Sequence, residues 1–394
     1  MTPSRFMPRR ARASAAGLAA AGIVATALLG CGSNAAKTTT SSASSTAVSS
    51  ASGTPAGFTS RPWATGVTVT HPIAAGKASV TQPDDMTALG GHIFVAFQNG
   101  VGPQGETMNG VKDSTVAEFS SSGSRMAQWD LAGHADGLTA DPTTGRVIAT
   151  VNEDGHSSVY VIDPASSTPV QYHYAALAHH GGTDAISFWH GMMLVSASAP
   201  GTTGKAAPQS TYPAVYVVSL NSSTHMAKIR SLFGDEASAK RANSGATGTI
   251  RLALTDPDSN AVVPSNAQRF GGQFVLTSQG DYEQIFVPDP AAKSLSVLKL
   301  SQSVDDSAWA PGPSATLYVA DGSADLIDKV TGPFQTGSEF VGVTPCDAGN
   351  APASCPGPGF PNPYLAQVDQ ATGAVSKLAL AGQPPQPAGL LFVP

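Results

Sequence analysis

An all-β fold is the architecture this sequence predicts, and three observations predict it. Gly and Pro are abundant, 41 and 30 of 394 residues, which suits many strands joined by turns and not a helical bundle. Short runs of β-branched, aromatic and aliphatic residues recur between turn residues, with almost no helical periodicity. A phrase of four such runs repeats along the chain and usually opens on Asp or Asn. Four-stranded antiparallel units repeated around an axis make a β-propeller, which leaves only short, protected sheet edges.

The elements follow in order. The clearest copy begins at Asp136 and continues with strands over 146–151, 158–164 and 170–174, turning at Asp141-Pro142 and Asp163-Pro164. Copies begin at Asp85 (then 92–97, 115–119, 125–131), Asp184 (192–198, 214–220, 226–232) and Asn266 (273–278, 284–288, 295–300). Another begins at Asp306 and continues through 316–320 and, after an insertion, 364–369 and 375–380. Residues 388–392 repeat the first strand with nothing after it. The closing blade is therefore predicted to be shared by both termini, with strands near 67–70 and 78–81 completing it. One helical turn is predicted, over 234–243. The copies start at intervals of 51 (85→136), 48 (136→184), 82 (184→266), 40 (266→306) and 82 (306→388). The long intervals hold insertions over 233–263 and 327–363. Six blades follow, or seven if one insertion is a degenerate blade.

The phrase Leu317-Tyr-Val-Ala-Asp321 with Ile327-Asp-Lys-Val330, and the turns at Asp163-Pro164 and Asp369…Thr372-Gly373, resemble the NHL-repeat and gluconolactonase-like propellers. The resemblance spans roughly residues 60–394 and implies a channel lined by the first strand of each blade. It also implies that the connections before the first strand and after the second share the ligand-binding face. In gluconolactonase-like enzymes one metal at the channel mouth polarises a lactone and activates water. This chain departs from that pattern in having no Glu at the start of a first strand.

The aligned strand starts, Asp85, Asp136, Asp184, Asn266 and Asp306, are expected to ring one mouth of the channel. Oxygen donors of this kind suit Ca²⁺ or Mg²⁺, or a cationic ligand. Singly, each is better explained as a turn residue bonding local amides, while the ring as a whole fits either reading equally. Glu153, Asp281 and Asp321 in the loops after second strands, and His134 and His180 in those before first strands, are expected on the same face. Arg269 and Trp309 fall in first strands and either line or fill the channel. Asp256-Pro-Asp258-Ser-Asn260 opens like a calcium loop but lacks its Gly and closing Glu, so a solvated turn is expected there. Gly201-Thr-Thr-Gly-Lys205 lacks the spacing of a phosphate loop, and no serine-hydrolase elbow, zinc-protease helix motif, dinucleotide fingerprint or C-x-x-C occurs.

The first 30 residues read as an export signal. Arg5, Arg9, Arg10 and Arg12 precede an uncharged run from Ala15 to Leu29, too short to span a bilayer. Leu28-Leu29-Gly30-Cys31 resembles the lipobox of bacterial lipoproteins, which implies cleavage before Cys31 and its acylation. Two or three acyl chains hold a protein on a membrane. Residues 31–56 read as a tether: 12 of the 17 residues from Thr38 to Thr54 are Ser or Thr, too polar to offset their chain entropy. The propeller is assigned 57–394. Cys346 and Cys355, the only other cysteines, lie in a Pro/Gly-rich loop where an exported chain is expected to form a disulfide.

Removing the four leader arginines from 21 Lys+Arg leaves 17 against 27 Asp+Glu, a balance of −10. That excludes the cationic surface a nucleic-acid binder needs. Three readings remain: a membrane-anchored, extracytoplasmic module binding a protein, polysaccharide or small molecule; a metal-dependent hydrolase or lyase of the gluconolactonase-like kind; and an envelope scaffold.

Overall fold

The strands of this chain bury both faces. In His92–Phe97, alternate side chains Ile93, Val95 and Phe97 pack toward one neighbouring sheet, while Phe94 and Ala96 pack toward the other. A period-2 pattern that is apolar on both sides demands a sheet sandwiched between two others, and only a ring supplies that for every sheet. The computed structural model describes residues 57–73, 76–201, 212–345 and 362–394. The predicted leader, lipidated Cys31, tether and Cys346–Cys355 pair lie outside the described residues.

Among the described residues the pairings give six four-stranded antiparallel units. Blade 1 is Pro83–Leu89, His92–Phe97, Asp113–Phe119 and Arg125–Ala132. Blade 2 is Ala135–Asp141, Arg146–Val151, Ser158–Ile162 and Val170–Tyr174. Blade 3 is Ile186–Trp189, Met192–Ser196, Pro213–Asn221 and Met226–Gly234, and its outer strand touches that of blade 2 through a short parallel pairing. Blade 4 is Pro257–Val262, Phe274–Ser278, Glu283–Val287 and Leu295–Lys299. Blade 5 is Val304–Trp309, Glu339–Val343, Tyr364–Asp369 and Ala374–Lys377. Blade 6 is Pro387–Val393, Thr316–Asp321, Leu326–Thr331 and Phe58–Thr65. The six inner strands contact one another in a closed cycle. Six apolar clusters fill the gaps, one between each pair of neighbouring blades.

Four expectations are corrected. The hairpin 316–331 does not continue the blade that begins at Asp306; it joins the closing blade. Its alternate residues Tyr318, Ala320 and Ile327 fill the gap to blade 1, while Leu317, Val319 and Val330 fill the gap to blade 5. The second strand of blade 5 is instead Glu339–Val343, buried at every residue, inside the stretch read as an insertion. The N-terminal strand of the closing blade is Phe58–Thr65, and Thr70–Ile73 with Gly76–Ser79 forms a separate hairpin. Within 234–243 there is no helical turn: Ser238–Arg241 adds in parallel to the outer edge of blade 4, burying Ala239 against the cluster between blades 3 and 4. No α-helix occurs among the described residues.

Candidate functional site

A repeated irregularity builds the site. Near the start of the inner strand, the pairing register slips between Pro83 and Met86, Ala135 and Leu138, Pro257 and Asn260, and Val304 and Ser307. Each slip is a bulge of two residues, and bulges re-aim side chains. The first bulge residues are Asp84, Asp136, Asp258 and Asp305. Asp184 holds the matching place two residues before Ile186 of blade 3, and Ala388 holds it in blade 6. Five consecutive blades thus present one carboxylate each. All six positions line one cavity of about 480 Å³ on the propeller axis.

The second bulge position serves a different purpose: it joins blades. Asp85 accepts the backbone N–H groups of Met86 and of Leu138 in blade 2, both at 2.6 Å. Asp306 repeats this with Ser307 and with Leu390 in blade 6, again at 2.6 Å. Where this position carries Gly137, a Cβ would stand 2.6 Å from Thr150 Oγ1 and 2.7 Å from both Ala185 Cα and Asp184 O, so only hydrogen fits. Asp85 and Asp306 therefore line the cavity but direct their oxygens to backbone amides.

The first-position carboxylates are arranged otherwise. Asp136 sits against Asp84, and Asp184 against Asp258, each pair at hydrogen-bonding range with acceptor facing acceptor. Among the described residues no donor reaches Asp136 Oδ2, Asp184 Oδ2 or Asp258 Oδ2. Asp136 and Asp184 are each 7% exposed. The cavity lining includes no Lys or Arg. Burial first, and the neighbouring charge of Glu153 with it, push Asp84 up to about 6 and Asp184 up to about 7. Asp136 and Asp258 rise well above the carboxylate range, first by burial and then by repulsion from Glu153 and Asp184 respectively.

Two residues from loops of the same face complete the cluster. His134 precedes the inner strand of blade 2. Its Nδ1 lies 2.6 Å from the Val101 carbonyl, which can only accept, so Nδ1 carries the proton. Nε2 is then 3.8 Å from Oε1 of Glu153, a carboxylate 32% exposed at the edge of the cavity. Asn152, in left-handed conformation with φ of 67°, fixes both: its side chain accepts from His134 N–H and donates to the His156 carbonyl. Gly182 packs so closely on the Glu153 carbonyl that any Cβ would collide with it. His134, Asp136 and Glu153 have ligand atoms within 4.8 Å of one another, and so do Glu153, Asp184 and Asp258. Three carboxylates form an all-oxygen set for a hard cation, and a set with imidazole suits Mn²⁺ or Zn²⁺.

Asp136, Asp184, His134 and Glu153, expected at the mouth from sequence, are thus brought together. The others are not. Asn266 is exposed in a turn, bonded at 3.5 Å to the Pro311 carbonyl, because the inner strand of blade 4 is Pro257–Val262 and not 266–270. Asp281 bonds Thr255 and Ser278, Asp321 caps the turn at Ser323 and accepts from Gln386, and His180 is exposed. His179 is buried with both ring nitrogens engaged, to Tyr216 and to the Gly182 and Ser198 carbonyls, and burial holds it down at about 4. Arg269 lies outside the channel: it stacks on Phe270 and donates to the Gln370 and Ala242 carbonyls. Trp309 is buried between blades 4 and 5. Asp258, expected in a solvated turn, is a full member of the cluster. The signal that finds it is Pro257-Asp258, which repeats Pro83-Asp84 at the same bulge.

No protein-family model matches the chain, and no curated protein matches it in sequence. Solved structures do overlap with it. The periplasmic gluconolactonase of Pseudomonas aeruginosa is 14% identical with a TM-score of 0.43, over 80% of this chain and 90% of that one. A putative 6-phosphogluconolactonase of Bacteroides fragilis is 12% identical with a TM-score of 0.42, over 81% and 89%. A protein of unknown function from Bacteroides caccae is 10% identical with a TM-score of 0.43, over 80% and 89%. Overlaps this loose leave fold and chemistry to be read from the chain's own strands and side chains.

Proposed function

We propose that this chain is an exported, membrane-tethered β-propeller that holds a divalent cation at its channel mouth and there binds a ligand or partner. One observation carries the reading: unpartnered oxygens of Asp136, Asp184 and Asp258 meet in a cavity whose lining offers no cationic side chain. Carboxylates pressed together out of water need a proton or a cation between them. A cavity of about 480 Å³ is the size of small-molecule sites, and a sugar unit or a projecting side chain fits that scale as well. The lipobox-like Leu28–Cys31 and the Ser/Thr-rich stretch behind it support an anchor on the outer side of a bacterial membrane.

Thermal unfolding tests the cation. A cation binding only the folded state at a hundredfold excess over Kd stabilises by about 2.7 kcal/mol. The midpoint is expected to rise with Ca²⁺, Mg²⁺ or Mn²⁺ after EDTA treatment, and Asp184→Asn is expected to reduce the rise. No rise with any of these, or with Zn²⁺, refutes the reading.

Metal-dependent hydrolysis of a lactone or ester is the second reading, and one feature favours it. Glu153 lines the cavity, stays 32% exposed and has an imidazole, His134, beside it. In that reading Glu153 takes a proton from water. Cation-dependent turnover of a lactone and ester panel, lost after EDTA treatment and in Glu153→Gln, would establish it.

A further inference from the structure

We infer that the channel mouth is built for two adjacent divalent cations that share Glu153, one on the His134–Asp136 side and one between Asp184 and Asp258. The inference rests on the cation-binding reading and specifies its stoichiometry and chemistry. Three features of the cluster carry it.

The first is geometry. Two separate sets of ligand atoms, each internally within 4.8 Å, have Glu153 as their single common member. A carboxylate with two oxygens can face two positions at once, and carboxylate-bridged pairs lie about 3.5–4 Å apart. The second is that each side carries its own unpartnered buried acceptor. Asp136 Oδ2 belongs to one set and Asp184 Oδ2 to the other, both residues being 7% exposed. A single cation seated between Asp184 and Asp258 leaves Asp136 Oδ2 as it was. The third is the imidazole. A metal-binding histidine normally donates its remote N–H to a backbone carbonyl, which fixes the tautomer and aims the lone pair. His134 does this to Val101, and its Nε2 faces Glu153. His179, whose nitrogens are both engaged elsewhere, shows what a purely structural histidine looks like in this fold.

Charge agrees with the count. The cavity lining carries eight carboxyls, the five of this cluster with Asp85, Asp305 and Asp306, and no Lys or Arg. One divalent cation leaves most of that charge uncompensated, and a second compensates twice as much of it. The two positions differ in chemistry. The Asp184–Asp258 side is all oxygen and suits Ca²⁺, Mg²⁺ or Mn²⁺. The His134 side accepts Zn²⁺ or Mn²⁺. Mn²⁺ is therefore the probe that suits both.

The test uses the full-length chain, stripped with EDTA and equilibrated with Mn²⁺ alone. Metal content and electron paramagnetic resonance are measured on the same sample. Two Mn²⁺ per chain with the spectrum of a spin-coupled pair are expected. Asp136→Asn and Asp258→Asn are each expected to bind one Mn²⁺ with an uncoupled spectrum. Both changes remove charge from a repulsive cluster and keep its volume, and circular dichroism checks their fold. One Mn²⁺ in the wild type, lost in either variant, overturns the pair and leaves the single-cation reading standing. No bound Mn²⁺ overturns both.

Discussion

Replacing Gly137 with alanine tests how the bulges hold the acid cluster. Gly137 sits between Asp136 and Leu138, where blade 2 meets blade 3. The new methyl would stand 2.6 Å from Thr150 Oγ1 and 2.7 Å from Ala185 Cα and Asp184 O. Two of those three atoms are backbone, so no rotamer change relieves them, and the gap between the blades must open. Overpacking of this kind costs about 1–3 kcal/mol. The lower chain entropy of alanine in the unfolded state returns about 0.4–1 kcal/mol. The backbone clash places the net effect near a loss of about 1–2 kcal/mol, or a fall of about 1–3 °C in midpoint for a chain of this size. Asp184 moves with its carbonyl, so the stabilisation conferred by Mn²⁺ should shrink too. The control is Gly312→Ala, where nothing lies within 4 Å and φ is not in the left-handed region. It should leave both quantities unchanged. Thermal unfolding of each variant with and without Mn²⁺ reads both quantities. A Gly137→Ala variant that melts and responds to Mn²⁺ like the wild type would refute the packing argument.

Three further outcomes follow from the same geometry. Asp84 and Asp184 have folded pKa values of about 6 and 7, above the ordinary 3.8, so the folded state binds more protons than the unfolded state. Their contribution to stability is full below about pH 4 and is lost as pH rises through 6 to 7; the midpoint of the EDTA-treated protein should therefore fall across that window, and added Mn²⁺ should flatten the fall. Gly182→Ala pushes against the Glu153 carbonyl and should weaken Mn²⁺ binding severalfold while Gly312→Ala, with open space around it and no left-handed φ, should not, as titration calorimetry will show. Cys31→Ser should move the chain from the detergent phase to the aqueous phase on Triton X-114 partitioning, and an unchanged partition would count against acylation at that residue.

The propeller was legible because every blade needs the same two-sided alternation. The copies starting at Asp85, Asp136 and Asp184 carry it without interruption, and the structure keeps their strands within a residue or two. Legibility failed where a strand serves a neighbour rather than its own repeat. The hairpin 316–331 reads as a continuation of the strand before it, because local pattern is silent about which sheet edge lies open. That edge exists only because the C-terminal strand closes the ring from the other side. The candidate site was legible in kind and less so in detail. Short acids at strand starts were visible, but a one-residue choice decides their role: Asp84 and Asp305 face the axis, while Asp85 and Asp306 bond Leu138 and Leu390 in the next blade. A two-residue bulge makes that choice, and sequence alternation does not encode it directly. Asp258 escapes a sequence reading because its strand lies just before Asn266, inside a stretch that reads as an insertion.

The most direct test of the central claim is diffraction from crystals grown with Mn²⁺, collected where manganese scatters anomalously. The account predicts anomalous density within coordination distance of Glu153, Asp184 and Asp258, with a second peak beside Asp136 and His134 Nε2. An acid cluster that stays free of anomalous density at saturating Mn²⁺, its carboxyls paired through protons alone, would contradict it.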